Sequence, residues 1–310
     1  MPEQKYRLIT RSDFDGLVCA VLLNELGLID DIKFVHPKDM QDGKVEVTER
    51  DITTNLPYVA SAHLAFDHHF SETLRNPGGK QNHIIEADAP SAARVVYNYY
   101  GGKKVFAAIP DDMMLAVDKA DSAQFSREEI LNPTGWVLLN YLMDARTGLG
   151  RFREFRVSNY QLMMDLIKHC RDHTITQILA LPDVKERVDM YFEHGPKAKE
   201  QIARCTTVHG NLAIIDLRKE DTIWAANRFL IYAMYPETNI SIHVLWGLQQ
   251  QNTVLATGKS ILNRSSKTNI GELMLQYGGG GHENAGTCQV ANDQAETVIA
   301  ALRSKINADG

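Results

Sequence analysis

Two short stretches of the chain set acids and imidazoles at the ends of apolar strands, where a metal ion would need them. Residues 63–69 read His63-Leu64-Ala65-Phe66-Asp67-His68-His69, and near the start Tyr6-Arg7-Leu8-Ile9-Thr10 leads into Arg11-Ser12-Asp13-Phe14-Asp15-Gly16. Carboxylate oxygen and imidazole nitrogen together suit Mn²⁺, Zn²⁺ or Fe²⁺. Acids at i and i+2 repel each other unless a cation or an arginine lies between them. Either stretch alone reads equally well as polar residues closing a strand; two of the same shape imply a shared metal site.

Further acids lie between and beyond these stretches. Val45-Glu46-Val47-Thr48 reads as an extended segment that delivers Asp51-Ile52-Thr53-Thr54-Asn55. Asp51 either caps the turn that follows or supplies the third acid of a dinuclear site. The apolar run Met113–Val117 carries Asp118 and Asp121 at its end. An acid there opposes the helix dipole, a cost that a ligand role for one of the two would account for.

A second constellation is basic. A helix over 270–277 ends at Gly278-Gly279-Gly280-Gly281-His282. Four glycines let backbone N–H groups approach an anion closely, whereas a helix C-cap needs only one. His282 adds a side-chain donor, and Lys259, Arg264 and Lys267 offer cations for the same phosphate. Acids with metal in one domain and a phosphate grip in the other describe phosphoester hydrolysis in an interdomain cleft.

The elements that must position these groups follow from the pattern. A strand over 6–10, a buried helix from Leu17 to Leu26 stopped by Gly27, and a strand over 32–35 form a β-α-β opening, which predicts a mostly parallel sheet. A helix is expected over 90–100, with Pro90 in its first turn. From about 127 to 200 the period is helical. Strands at 212–216, 240–246 and 254–260, with helices over 223–235 and near 294–306, predict a smaller second α/β domain.

Composition narrows the function classes. At 44% hydrophobic and 23% charged residues the chain is ordinary for a globular protein, and 310 residues suit two domains. A net charge of -6 argues against wrapping long duplex nucleic acid, which needs a basic face. Cys19, Cys170, Cys205 and Cys288 form no CxxC pair, so neither a zinc ribbon nor a disulfide framework is expected. Met1 to Lys5 does not read as a secretion signal, and no apolar run approaches the roughly 18 to 20 residues of a membrane span. The expected compartment is the cytoplasm.

Taken in order, these motifs resemble the DHH phosphoesterase family, specifically the two-domain type whose C-terminal DHH-associated domain carries a GGGH signature. The resemblance spans nearly the whole chain. It rests on Asp13-Phe14-Asp15, Asp51, Asp67-His68-His69, Asp121-Ser122-Ala123-Gln124-Phe125, Arg264-Ser265 and the glycine–histidine run. It implies an α/β fold: residues 1–195 as a metal-binding DHH domain with a parallel sheet flanked by helices and a helical connector, and 206–310 as the substrate-binding domain.

The resemblance also implies two Mn²⁺ ions bridged by Asp51. Asp13 would ligate one ion, and Asp15, His68 and Asp121 the other. Asp67 would orient the histidines and His69 would face the scissile phosphate. Arg264, Ser265, Gly279, Gly280, Gly281 and His282 would hold a terminal phosphate. One departure stands out, since relatives carry a histidine four residues before the first acid and this chain has Ile9. The Asp13 site is then short of a neutral ligand, to be filled by His36, Asp118 or water, or else it binds its ion weakly.

The leading functional reading is a Mn²⁺-dependent phosphodiesterase that trims short linear oligonucleotides or dinucleotides, cyclic ones included, to mononucleotides. An exopolyphosphatase or pyrophosphatase is the alternative enzyme, and a nucleotide-binding sensor without turnover a third reading suggested by Ile9. Homodimer formation is left open, and no membrane partner is expected.

Overall fold

The computed structural model describes residues 4–76, 78–152 and 154–310. Met1 to Glu3, part of the stretch read as carrying no secretion signal, lie outside the described residues. Two compact units emerge. The first comprises Met1–Gln124, Thr134–Ala145 and Leu149–Asp189; the second comprises Phe125–Pro133, Arg146–Gly148 and Met190–Gly310.

In the first unit the chain runs β1 (Tyr6–Arg11), α1 (Phe14–Glu25), β2 (Ile29–Val35), α2 (Pro37–Gln41), β3 (Asp51–Thr54), β4 (Leu64–Asp67), α3 (Phe70–Arg75), β5 (His83–Ile85), α4 (Ala92–Tyr99) and α5 (Asp111–Asp121). Its sheet has the order β2-β1-β3-β4-β5, and every pair is parallel. Helix α1 is apolar on every side, and Leu17 to Leu23 are accordingly buried throughout. Asp13 caps it by accepting from the Gly16 amide at 3.0 Å. Glycine is obligatory there, because a Cβ would sit 2.0 Å from the Arg11 carbonyl oxygen.

The chain leaves β1 to form β2 on one side and then crosses to β3 on the other. The carboxyl ends of β1 and β3 therefore flank the topological switch point, where open α/β sheets bind ligands. Here the structure departs from expectation. Residues 45–48 are not a strand; Val45 and Val47 pack instead on an apolar cluster of Ile9, Met40 and Leu56. The strand begins at Asp51, so that residue stands at the amino end of β3, away from the switch point.

Helices α6 (Arg127–Leu131), α7 (Gly135–Met143), α8 (Asn159–Asp172), α9 (Ile175–Ala180) and α10 (Pro182–Cys205) follow. The segment expected as a connector attached to residues 1–195 is thus shared between the units, with the division falling inside the 24-residue helix α10.

The second unit holds β6 (Thr206–His209), β7 (Leu212–Asp216), α11 (Leu230–Met234), β8 (Ile240–Trp246), β9 (Thr253–Lys259), α12 (Ile270–Leu275), β10 (Gly280–His282), β11 (Ala285–Val290) and α13 (Ala295–Asp309). Its sheet order is β10-β11-β9-β8-β7-β6, antiparallel except for β7 beside β8. Ile240, Ile242 and Val244 of β8 alternate into a core shared with Leu273 of α12 and Leu302 of α13. The helix expected over 223–235 is confined to its last turns. Upstream, the Trp224 amide donates to Gln201 Oε1 and the Ala226 amide to the Thr147 carbonyl, so neighbours satisfy groups that a helix would otherwise pair. Among the described residues no helix is long and apolar enough to cross a membrane.

Candidate active site

Three side chains from distant parts of the sequence converge at the carboxyl edge of the first sheet. Ligand atoms of Asp15, His68 and Asp121 all lie within 4.8 Å of one another. Asp15 follows β1, His68 follows β4, and Asp121 ends α5.

Each is held by backbone. Asp15 is buried and accepts from the Ala92 and Ala93 amides, at 3.0 and 2.8 Å, at the amino terminus of α4. Ser91 caps that helix, and its hydroxyl donates to Asp118, which also accepts from Arg94 at 3.0 Å (Nε) and 2.5 Å (Nη2). Asp118 is therefore committed to fixing the helix that holds Asp15. His68 Nδ1 lies 3.1 Å from the Ala89 carbonyl, which turns Nε2 toward the acids. Nε2 is 2.9 Å from Asp121 Oδ2 without the alignment of a full hydrogen bond.

The electrostatics describe a cluster short of positive charge. Burial, and then the charge of Asp121, push the Asp15 carboxyl well above its ordinary value. Burial works against a charged His68, yet its contact with Asp121 and the charges of Asp121 and Asp15 outweigh it, lifting the imidazole to about 9. Asp121 is lowered because its pairing with His68 overcomes burial. In the metal-free protein His68 and Asp121 thus stabilise each other's charged forms, while burial and the Asp121 charge disfavour a charged Asp15. An orphaned, buried Nε2 whose Nδ1 is tied to a carbonyl, beside two hard oxygens, fits a divalent cation.

His69 points elsewhere. Its Nδ1 is 2.6 Å from Asp67 Oδ1, which also accepts from the His68 and His69 amides at 2.8 and 3.2 Å. Asp67 therefore orients His69 directly and His68 only through its backbone. The Asp67 carboxylate is buried, whereas His69 reaches solvent.

Asp13 stands on the same turn as Asp15 but outside the three-donor group. One oxygen caps α1, and the other is 2.9 Å from Arg11 Nε. Asp51 requires a correction. Its carboxylate accepts from Arg7 at 2.7 and 3.0 Å and from Thr48 N and Oγ1 at 2.7 and 3.1 Å, at the opposite end of β3, so it cannot bridge ions at this edge. The Arg7 bond and those from Thr48 overcome burial and lower its pKa. Ile9 is fully buried against Met40 and Leu56. His36 caps α2 by accepting from the Lys38 amide at 3.1 Å.

In the second unit the glycine run begins as a turn at Gly278 and passes into an edge strand from Gly280. Gly280 to His282 pair with β11, and a Cβ on Gly281 would lie 2.3 Å from the Ala285 carbonyl oxygen, so close packing already demands glycine there. Ser265 bonds Asn263 and Asn239, and Arg264 Nε reaches the Ile261 carbonyl at 3.1 Å. Lys259, at the end of β9, pairs with Glu283 in the β10–β11 turn at 3.3 Å.

Sequence reasoning missed Asn55, which takes the place past β3 intended for Asp51. The available signal was its position after Ile52-Thr53-Thr54, a β-branched run that ends at a residue tolerant of left-handed backbone.

No family model and no curated protein match the sequence. Among solved structures the chain is 64% identical to the pGpG-specific phosphodiesterase PggH of Vibrio cholerae, covering 99% of this chain and 100% of that one, with a TM-score of 0.88. The chain belongs to the DHH phosphoesterase family. RecJ of Thermus thermophilus, solved with Mn²⁺, shares the fold at 12% identity over 98% of this chain and 52% of its own, with a TM-score of 0.51. CDC45 of Entamoeba histolytica does so at 9% identity over 97% and 95%, with a TM-score of 0.50. In this DHH phosphoesterase the family's name-giving triplet divides its work: His68 faces the acid cluster, and Asp67 steadies His69.

Proposed function

We infer that this DHH phosphoesterase hydrolyses short linear oligonucleotides and dinucleotides to mononucleotides, with pGpG as its first substrate. One observation carries the reading: full-length 64% identity to a pGpG-specific phosphodiesterase, in a chain that assembles Asp15, His68 and Asp121 at its sheet edge. A divalent cation held by these three, which we assign as Mn²⁺, supplies Lewis acidity and lowers the pKa of water toward neutrality.

The chain's own groups do the rest. The amino terminus of α4 keeps Asp15 in place, and Asp67, paired with Nδ1, holds the His69 ring beside the substrate phosphate. Arg264, Ser265, the Gly279–Gly281 backbone and His282 are assigned to the substrate's terminal phosphate, a guanidinium and N–H groups being suited to that anion. Water adds to phosphorus, the bridging P–O bond breaks, and the departing oxygen gains a proton, so pGpG yields two molecules of GMP.

The experiment is incubation of the protein with pGpG and Mn²⁺, followed by anion-exchange chromatography. GMP is the expected product. No GMP at micromolar protein overturns the reading. Release of phosphate from polyphosphate without GMP would favour the exopolyphosphatase, and a cyclic dinucleotide in a parallel reaction decides between linear and cyclic substrates.

A further inference from the structure

We propose that Asn55 is a neutral donor of this centre, at the position where a bridging carboxylate was expected, and that it limits the centre to one tightly held divalent cation. The proposal rests on the metal reading given above.

The register places Asn55. Thr54 pairs with Thr10 of β1 and with Phe66 of β4, so the next residue stands level with Arg11 on one side and Asp67 on the other. It lies at the switch point, between the Asp13–Asp15 turn and the Asp67-His68-His69 triplet. Its amide donates to the Phe66 carbonyl at 3.1 Å, and its φ of 56° is left-handed, which ends the strand there. Asparagine is among the few residues other than glycine that take this conformation readily.

Its side chain is only 2% exposed. The amide Nδ2 is 3.4 Å from Asp13 Oδ1, while Oδ1 is buried and has no hydrogen-bond partner among the described residues. Buried polar atoms normally find partners. A buried amide oxygen without a partner among the described residues, beside one candidate ligand and level with the DHH triplet, is a hard donor suited to a divalent cation or its water.

Charge then sets the count. Two dications a few ångströms apart need anions between them to offset their repulsion. The Asp15, His68 and Asp121 side brings two carboxylates. On the Asp13 side the carboxylate already faces Arg11, the amide of Asn55 adds no charge, and the neighbouring Ile9 and Leu56 are committed to an apolar cluster. One ion is held firmly and a second only loosely.

The test titrates the dialysed full-length protein with Mn²⁺ by calorimetry, and follows its melting temperature with and without Mn²⁺. Asn55→Gly and Asn55→Asp both fit the left-handed backbone. The wild type should take up one ion tightly and a second at least about 100-fold more weakly; Asn55→Asp should bring the second to within about tenfold of the first and enlarge the Mn²⁺-induced rise in melting temperature. Asn55→Gly should keep the tight ion and lose the weak one. Two ions of equal affinity in the wild type, or an Asn55→Asp titration that matches it, overturns the proposal alone. A wild type that takes up no Mn²⁺ overturns the metal reading with it.

Discussion

Asp15 and Asp51 sit at opposite ends of the first unit's sheet, are almost equally buried at 2% and 1% exposure, and do different things. Asp51 meets a guanidinium and two groups of Thr48, and its pKa falls. Asp15 meets two backbone amides and a second acid, and its pKa rises. A buried carboxylate with its charge cancelled ties a strand end down; one left with uncompensated charge asks for a cation. Burial alone does not identify a ligand.

The largest effect that could break this contrast is on turnover. Asp15→Asn should lower kcat/KM on pGpG by about 10³-fold, or roughly 4 kcal/mol. The metal-free protein should melt close to the wild type, since the acceptor lost to the α4 amides is offset by removal of a disfavoured buried charge. Normal turnover, or a collapsed melting temperature, would move Asp15 into the class of Asp51. Next, Asp67→Asn should cost about 10–100-fold in turnover by loosening His69, with Mn²⁺ stoichiometry unchanged.

A pH titration sharpens the comparison further. His68, charged up to about 9 in the metal-free protein, must lose that proton to bind a cation. Mn²⁺ affinity measured by calorimetry should therefore climb about tenfold per pH unit toward 9 and flatten above it. A flat profile between pH 7 and 9 would remove His68 from the ligand set.

The smallest effect is reserved for Asp51→Asn, which should cost about 2 kcal/mol of stability while leaving turnover within about twofold. Because the folded pKa of Asp51 is depressed, its contribution is present above the unfolded value near 3.8 and is lost as pH falls below that and through the lower folded pKa. Denaturant melts of wild type and variant should then converge in acid. A large loss of turnover at neutral pH would reinstate Asp51 at the site.

How far the sequence was legible depended on how local each signal was. Helix α1 was readable because an unbroken apolar run between a capping Asp and Gly27 has few other uses. The DHH triplet was readable because a short apolar strand leads straight into it. The 45–48 stretch misled because Val45 and Val47 alternate as a strand does, yet their burial comes from the Ile9 cluster rather than from a sheet. That slip moved Asp51 to the wrong end of β3 and hid Asn55. The helix expected over 223–235 failed for a similar reason, its backbone being satisfied by Gln201 and Thr147.

By itself the sequence determined the kinds of donor available, the parallel α/β class and the order of the motifs, since these follow from residue type and from periodicity along a few neighbours. Only the tertiary structure decided which acids meet. Strand register and the packing of α4 and α5 bring Asp15, His68 and Asp121 together across more than a hundred residues of chain and leave Asp51 with Arg7. The physical reason is that charge acts over a few ångströms of space, whatever the separation along the backbone.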